Sequence, residues 1–155
     1  HPVAHSFPTR RSSDLSSVTN ILAIIQTVLA GIAAISLVVG SIGIMTTMYT
    51  SVLERTRQIG IMKAVGAKNS DVLAIFVIEA GILGLIGGTI GVTLGGALSY
   101  VITDVAKQSI DLITFYFPPQ LVIGALLFSF TIGSIAGFFP ARKAARMQPV
   151  EALRS

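Results

Sequence analysis

The chain has 155 residues, 52% of them hydrophobic and 12% charged, with a mean hydropathy of +0.81. Soluble domains carry about 25% charged residues, so this composition excludes a surface that faces water all round and points to lipid as the solvent. The lack of cysteine excludes a disulfide framework or a thiolate metal site, and the net charge of +4 is distributed, as described below, to set membrane topology rather than to bind nucleic acid.

Residues 5–15 read HSFPTRRSSDL, the translation in one frame of a common short-read sequencing adapter. Residues 1–15 are therefore expected not to be biological sequence, and the natural protein is expected to continue differently upstream of Ser16. The alternative is a polar, basic tail for lipid head groups. A signal peptide does not fit, because no small-residue cleavage site follows a short apolar core. Both histidines, His1 and His5, lie in this segment, so the rest of the chain offers none for catalysis or metal binding.

Residues 16–53 hold no charge over 38 positions. One helix of that length spans ~57 Å, well beyond a hydrocarbon core of about 30 Å. Its start is the more polar end, so the membrane part is expected near Leu29 to Val52, with the helix beginning above the bilayer. Ile21, Ile25, Val28, Ile32, Ile35, Val39 and Ile42 follow alternating four- and three-residue steps, the form of a coiled-coil seam.

The segment Glu54 to Asp71 reads ERTRQIGIMKAVGAKNSD. Ile59, Met62 and Val65 recur every third residue among Arg55, Lys63 and Lys68, which fits a short amphipathic helix at the membrane surface. On periodicity alone, a charged interfacial loop is the better reading. Gly66 suits a helix C-cap, and Asn69 or Ser70 suits the N-cap of the next helix, with Asp71 in its first turn.

The second apolar stretch, 72–103, is broken by one charge, Glu79, and contains Gly81, Gly84, Gly87, Gly88, Gly91, Gly95 and Gly96. Small residues four apart let another helix approach closely in lipid. Gly84 with Gly88, and Gly87 with Gly91 and Gly95, have that spacing. Packing within the chain and packing against another chain are both open. Glu79 is expected to reach the interface or to pair with Lys63 or Lys68.

The extracytoplasmic loop, 104–120, carries Lys107 with Asp104 and Asp111, and its rim holds Tyr100, Phe115, Tyr116 and Phe117. The third stretch, 121–139, is uncharged; Pro118 and Pro119 precede it and Pro140 follows, marking both ends. Gly133 and Gly137 repeat the small-residue spacing. The tail, 140–155, carries Arg142, Lys143, Arg146 and Arg154, and the segment 54–71 carries Arg55, Arg57, Lys63 and Lys68. Basic residues collect on the cytoplasmic side, so both are expected there. The predicted class is all-α: an integral membrane chain of three transmembrane helices, to which the family resemblance described below adds a short cytoplasmic coupling helix.

No phosphate-binding loop, HExxH or GxSxG occurs, and the glycines of 84–96 lie in an apolar run whose N–H groups are committed to a helix. No catalytic, cofactor or metal site is expected, and the chain is read as a non-enzyme. The segment SVLERTRQIGIMKAVGAKNSDVLAIFVIEAGILGLIGGTIGVTLG and the tail GFFPARKAARMQPVEALRS closely resemble the signature of FtsX-like (MacB-type) ABC transporter permeases. The resemblance covers residues 35–155. It implies a permease or mechanotransmission subunit in the cell membrane, working as a homodimer or heterodimer in lipid with an ABC ATPase subunit that binds the ATP.

It also implies that 16–155 is the C-terminal transmembrane domain, without the family's first helix and extracytoplasmic domain, with 16–32 as the lower stalk. Carried over residue by residue, Glu54, Arg55, Thr56, Arg57, Ile59, Gly60, Lys63, Gly66 and Ala67 form the coupling helix that docks on the ATPase. A small stand-alone three-helix membrane protein is the other reading.

Overall fold

A computed structural model of the chain describes residues 9–107 and 118–147, with side chains from Leu15 onward. The described residues form four α-helices: α1 (Thr9–Glu54), α2 (Thr56–Ala64), α3 (Asn69–Lys107) and α4 (Pro119–Ala145). The described residues include no strand, and the chain is all-α. Three of the helices, over Leu15–Glu54, Asn69–Lys107 and Pro119–Ala145, are long and apolar enough to cross a membrane. The chain is thus a multi-pass membrane protein. Residues 1–8 of the adapter-like segment, Phe115, Tyr116, Phe117 and the tail from residue 148 lie outside the described residues.

The chain divides into two units, residues 1–40 and residues 41–155. In the first, every side chain from Leu15 to Gly40 is exposed. The expected seam residues of this unit, Ile21 to Val39, meet no packing partner in it. Its hydroxyls are consumed locally: Thr27 Oγ1 donates to the Ala23 carbonyl at 2.8 Å and Ser36 Oγ to the Ile32 carbonyl at 2.9 Å. That internal bonding lets polar side chains lie on an apolar helix without an unmet donor.

The second unit holds the core, where all four helices meet at one end of the bundle. Met48 and Val52 of α1, Ile59 of α2, Val72, Phe76 and Ala80 of α3, and Ala141, Ala144 and Ala145 of α4 are buried together. The spacings of three and four residues place each set on one helical face. The break between α1 and α2 is one residue, Arg55, with φ −100° and ψ 13°. The ladder almost continues through it, since Arg55 N–H donates to the Ser51 carbonyl and Ile59 N–H to the Arg55 carbonyl.

The helix after α2 starts differently from expectation. Neither Asn69 nor Ser70 caps it. Asp71 Oδ2 instead accepts the backbone N–H of Lys68 at 3.0 Å, the returning half of a capping box, in which a first-turn carboxylate satisfies the N–H ahead of the helix. At the other end α3 runs four residues past the expected boundary, to Lys107.

Pro118, extended at φ −70° and ψ 133°, caps α4, and Pro119 is its first residue, as a fixed φ and missing N–H favour. Pro140 does not end the helix, which continues to Ala145. Tertiary packing overrides the local penalty: Pro140 itself and Ala141, Ala144 and Ala145 beyond it are buried. Membrane helices tolerate an internal proline where neighbouring helices support the interrupted ladder.

Candidate coupling site at the α2 end of the bundle

The helix α2 presents two different surfaces. Ile59 is 2% exposed and Gly60 is buried, so the middle of the helix is seated in the core. Met62 packs half-buried against it. Val65, expected on the same face, is 84% exposed. Six residues at 3.6 per turn rotate a helix by one and two-thirds turns, about 120° off the starting face, which is why a three-residue repeat fails to hold one side.

The end of α2 is closed by its own backbone. Gly66 adopts φ 106°, a conformation open to glycine. Gly66 N–H donates to the Lys63 carbonyl and Ala67 N–H to the Met62 carbonyl, both at 3.0 Å. This pair of bonds is a Schellman motif, and it gives Gly66 and Ala67 a structural role in ending α2.

The charged members of the segment divide. Glu54 and Arg57 are exposed. Arg55 Nη1 lies 3.7 Å from Glu79 Oε1, joining the start of α2 to α3. The expected pairing of Glu79 with Lys63 or Lys68 is therefore replaced by one with Arg55. Thr56 Oγ1 turns back onto the carbonyls of Val52 and Leu53. Lys63 turns into the bundle: its Nζ donates to the carbonyls of Ala145 and, at 2.7 Å, Met147. Nearby, Lys143 Nζ of α4 donates to Tyr49 Oη of α1 at 3.1 Å and lies 4.7 Å from the centre of its ring.

Close approach of α3 and α4 fixes the frame that carries this end. A Cβ on Gly84 would lie 2.5 Å from the Ser129 carbonyl oxygen and 3.0 Å from Gly133 Cα. One on Gly133 would lie 2.6 Å from the Ala80 carbonyl oxygen, and Gly81 and Gly88 are similarly crowded by Phe130, Ser134 and Ser129. Ser129 Oγ donates to the Gly84 carbonyl. The row Gly87, Gly91 and Gly95 behaves otherwise, for nothing among the described residues lies within 4 Å of a Cβ there. Packing within the chain thus belongs to Gly84 and Gly88 and not to that row, which points away from α4. Counting alanine and serine as small, Ala80–Gly84–Gly88 and Ser129–Gly133–Gly137 are two matched four-residue ladders, a signal the glycines alone concealed.

Among the described residues, no group of three or more His, Cys, Asp or Glu side chains is arranged to hold a metal ion. What the arrangement offers is mechanical: a short exposed helix clasped to α3 at its start and to α4 at its end.

Residues 18–149 match the family model described as FtsX-like permease C-terminal. The chain is 47% identical over 139 residues to an uncharacterized ABC transporter permease of Methanocaldococcus jannaschii, covering 89% of this chain and 35% of that protein. It is 40% identical over 155 residues to the uncharacterized ABC transporter permease YknZ of Bacillus subtilis, covering 99% of this chain and 38% of that one. It is also 47% identical over 129 residues to the macrolide export ATP-binding/permease protein MacB of Photorhabdus laumondii, covering 83% of this chain and 19% of that protein. The chain therefore spans well under half the length of each of these relatives.

Proposed function

The chain belongs to the FtsX-like permease C-terminal family, and from that premise we propose that it is the transmembrane part of an ABC transporter permease in the cell membrane, coupling ATP hydrolysis by a partner ATPase to export or to work outside the membrane. In this proposal α2 is the coupling helix. The ATPase, fused or separate, binds the ATP and meets the exposed side of α2, including Arg57, together with Glu54 at the end of α1. The segment 54–71 and the end of α4 face the cytoplasm, because basic residues gather there. A second permease copy or a paralogue completes the assembly, with the unopposed row Gly87, Gly91 and Gly95 suited to close approach by another helix.

The observation that carries the proposal is the build of α2: nine residues, Thr56–Ala64, seated by Ile59 yet exposed along their outer side at the end where all four helices converge. A helix pushed at that point moves against the whole bundle end rather than against a flexible loop.

The test reverses Arg55 and Arg57 together to Glu in the permease that contains this chain. Like charges across a contact cost several kcal/mol, so co-purification with the cognate ATPase and stimulation of its activity should both fall while the permease still folds. Glu79→Gln removes the Arg55 partner without reversing charge, and should lower stimulation less than the double reversal does. Normal co-purification and stimulation in the doubly reversed protein would reduce the segment to a solvated basic turn.

A further inference from the structure

We propose that Lys63 is a positioning residue that clasps the coupling helix to the C-terminal end of α4, so that displacement of α2 is passed directly to α4. The inference rests on the coupling role proposed above and adds a route for the motion. By chain connection α2 is joined only to α1 and α3. Beside the packing of Ile59 in the shared core, Lys63 supplies a directed attachment to α4, bonding to Ala145 and Met147, 82 and 84 residues away.

The chemistry at both ends of the clasp is specific. A helix leaves its last carbonyls without intrahelical donors and carries a partial negative charge there. Ala145 is the last residue of α4, and Met147 lies just beyond its C-cap, Arg146. The cations of α4 itself do not fill this role. Arg142 and Arg146 are exposed, and Lys143 is spent on Tyr49. The ammonium that reaches these carbonyls comes from another helix, into a region already rich in positive charge, so the partial negative charge of the helix end acts against neighbouring cations and does not alone explain it. Directed hydrogen bonds do.

Lys63 is available because α2 does not need it. In the last turn of a helix a lysine ordinarily serves its own carbonyls. Here the Schellman motif at Gly66 and Ala67 already satisfies Met62 and Lys63, which frees the side chain. Small residues clear its path: Ala141, Ala144 and Ala145 are buried at the contact end of α4, and no bulkier side chain stands at those positions. Lys63 is half-buried, so water competes only in part for its donors.

The test uses the permease that contains this chain, together with its ATPase, in lipid nanodiscs. Residues 1–155 hold no cysteine, so cysteines introduced at exposed Gln58 and Phe139, outside the cationic surface, carry spin labels for an α2–α4 distance. A second pair at exposed Ile86 and Leu127 reports α3–α4. Lys63→Met keeps the length of the side chain and removes the donors; Lys63→Arg keeps cation and donors.

The expected result has four parts. Lys63→Met broadens the α2–α4 distance distribution and leaves the α3–α4 distribution unchanged. The ATPase still co-purifies. The ATP-driven change in the α2–α4 distance falls by about tenfold or more, as the loss of two charge-assisted hydrogen bonds shifts an equilibrium. Lys63→Arg restores it. An unchanged α2–α4 distribution with normal coupling overturns the clasp. So does broadening of both pairs, which makes Lys63 a residue needed for folding instead. If the wild-type permease binds no ATPase at all, the coupling role itself has failed, and that outcome is distinct because the α2–α4 distances in Lys63→Met still report whether the clasp exists.

Discussion

Gly84→Ala should destabilise the α3–α4 pair, although alanine is the better helix former. The added Cβ would stand 2.5 Å from the Ser129 carbonyl oxygen and 3.0 Å from Gly133 Cα. Both are backbone atoms, so no side-chain rotation relieves the contact. Non-bonded carbon atoms settle near 3.5–4.0 Å, and the helices must separate by about 1 Å. A radial gap of 0.5–1 Å forfeits a quarter to a half of each dispersion contact along the seam, and the Ser129–Gly84 hydrogen bond is stretched with it. Overpacking of this kind costs about 1–3 kcal/mol, and the lost interhelical hydrogen bond adds about 0.6 kcal/mol. The gain in helix propensity, at most about 1 kcal/mol, does not offset the sum. Gly91→Ala is the matched comparison, because nothing among the described residues lies within 4 Å of a Cβ there. Thermal unfolding of both variants in the same detergent should show Gly84→Ala lowered by about 1–3 kcal/mol and Gly91→Ala near wild type. Equal stability of the two would refute the seam as the close contact.

Gly66→Ala should weaken the end of α2, because a Cβ at φ 106° carries strain of about 1–2 kcal/mol; faster hydrogen exchange at the Gly66 and Ala67 amide positions would show it, and unchanged exchange would deny it. Glu79→Gln should change stability by less than about 1 kcal/mol, since its partner Arg55 is 51% exposed and such pairs contribute little; its larger effect should fall on ATPase stimulation or assembly, read in the reconstituted permease.

Most of the architecture was legible because it rests on solvent matching. An uncharged run of 38 residues has one stable form in lipid, a helix with its backbone satisfied internally. The turn chemistry was legible where one residue suffices: Gly66 was expected at a helix end and sits there with positive φ. Where two elements decide together, the local pattern misled. Pro140 reads as a terminator, yet the buried alanines after it hold the helix in place. Val65 shares a three-residue step with Ile59 but not its face. Lys63 reads as a surface cation, and only the arrival of α4, 82 residues later, gives it carbonyls to bind. The partner of Glu79 was misjudged for the same reason, since Lys63 was already committed elsewhere.

That commitment changes what the basic segments present. Counting lysine and arginine is sound for topology, because the rule depends on which side of the membrane the charges stay and not on what they touch. It overstates the charge available for docking. Arg55 is paired with Glu79, Lys63 with the end of α4 and Lys143 with Tyr49. Arg57, Lys68, Arg142 and Arg146 are exposed and take part in none of these three contacts, with Glu54 beside them, while Arg55 and Lys143 are exposed but engaged. The three engaged side chains each join different helices: α2 to α3, α2 to α4, and α1 to α4. One set of basic residues therefore does two separable jobs, holding the four helices together at one end and leaving a cationic outer surface. A single exposed ion pair contributes about 0–1 kcal/mol, so a partner that recognises this surface must use several of the four together. Loss of any one should then weaken the contact slightly, whereas loss of the half-buried Lys63 clasp should alter how motion passes between helices while the exposed cations keep their charge.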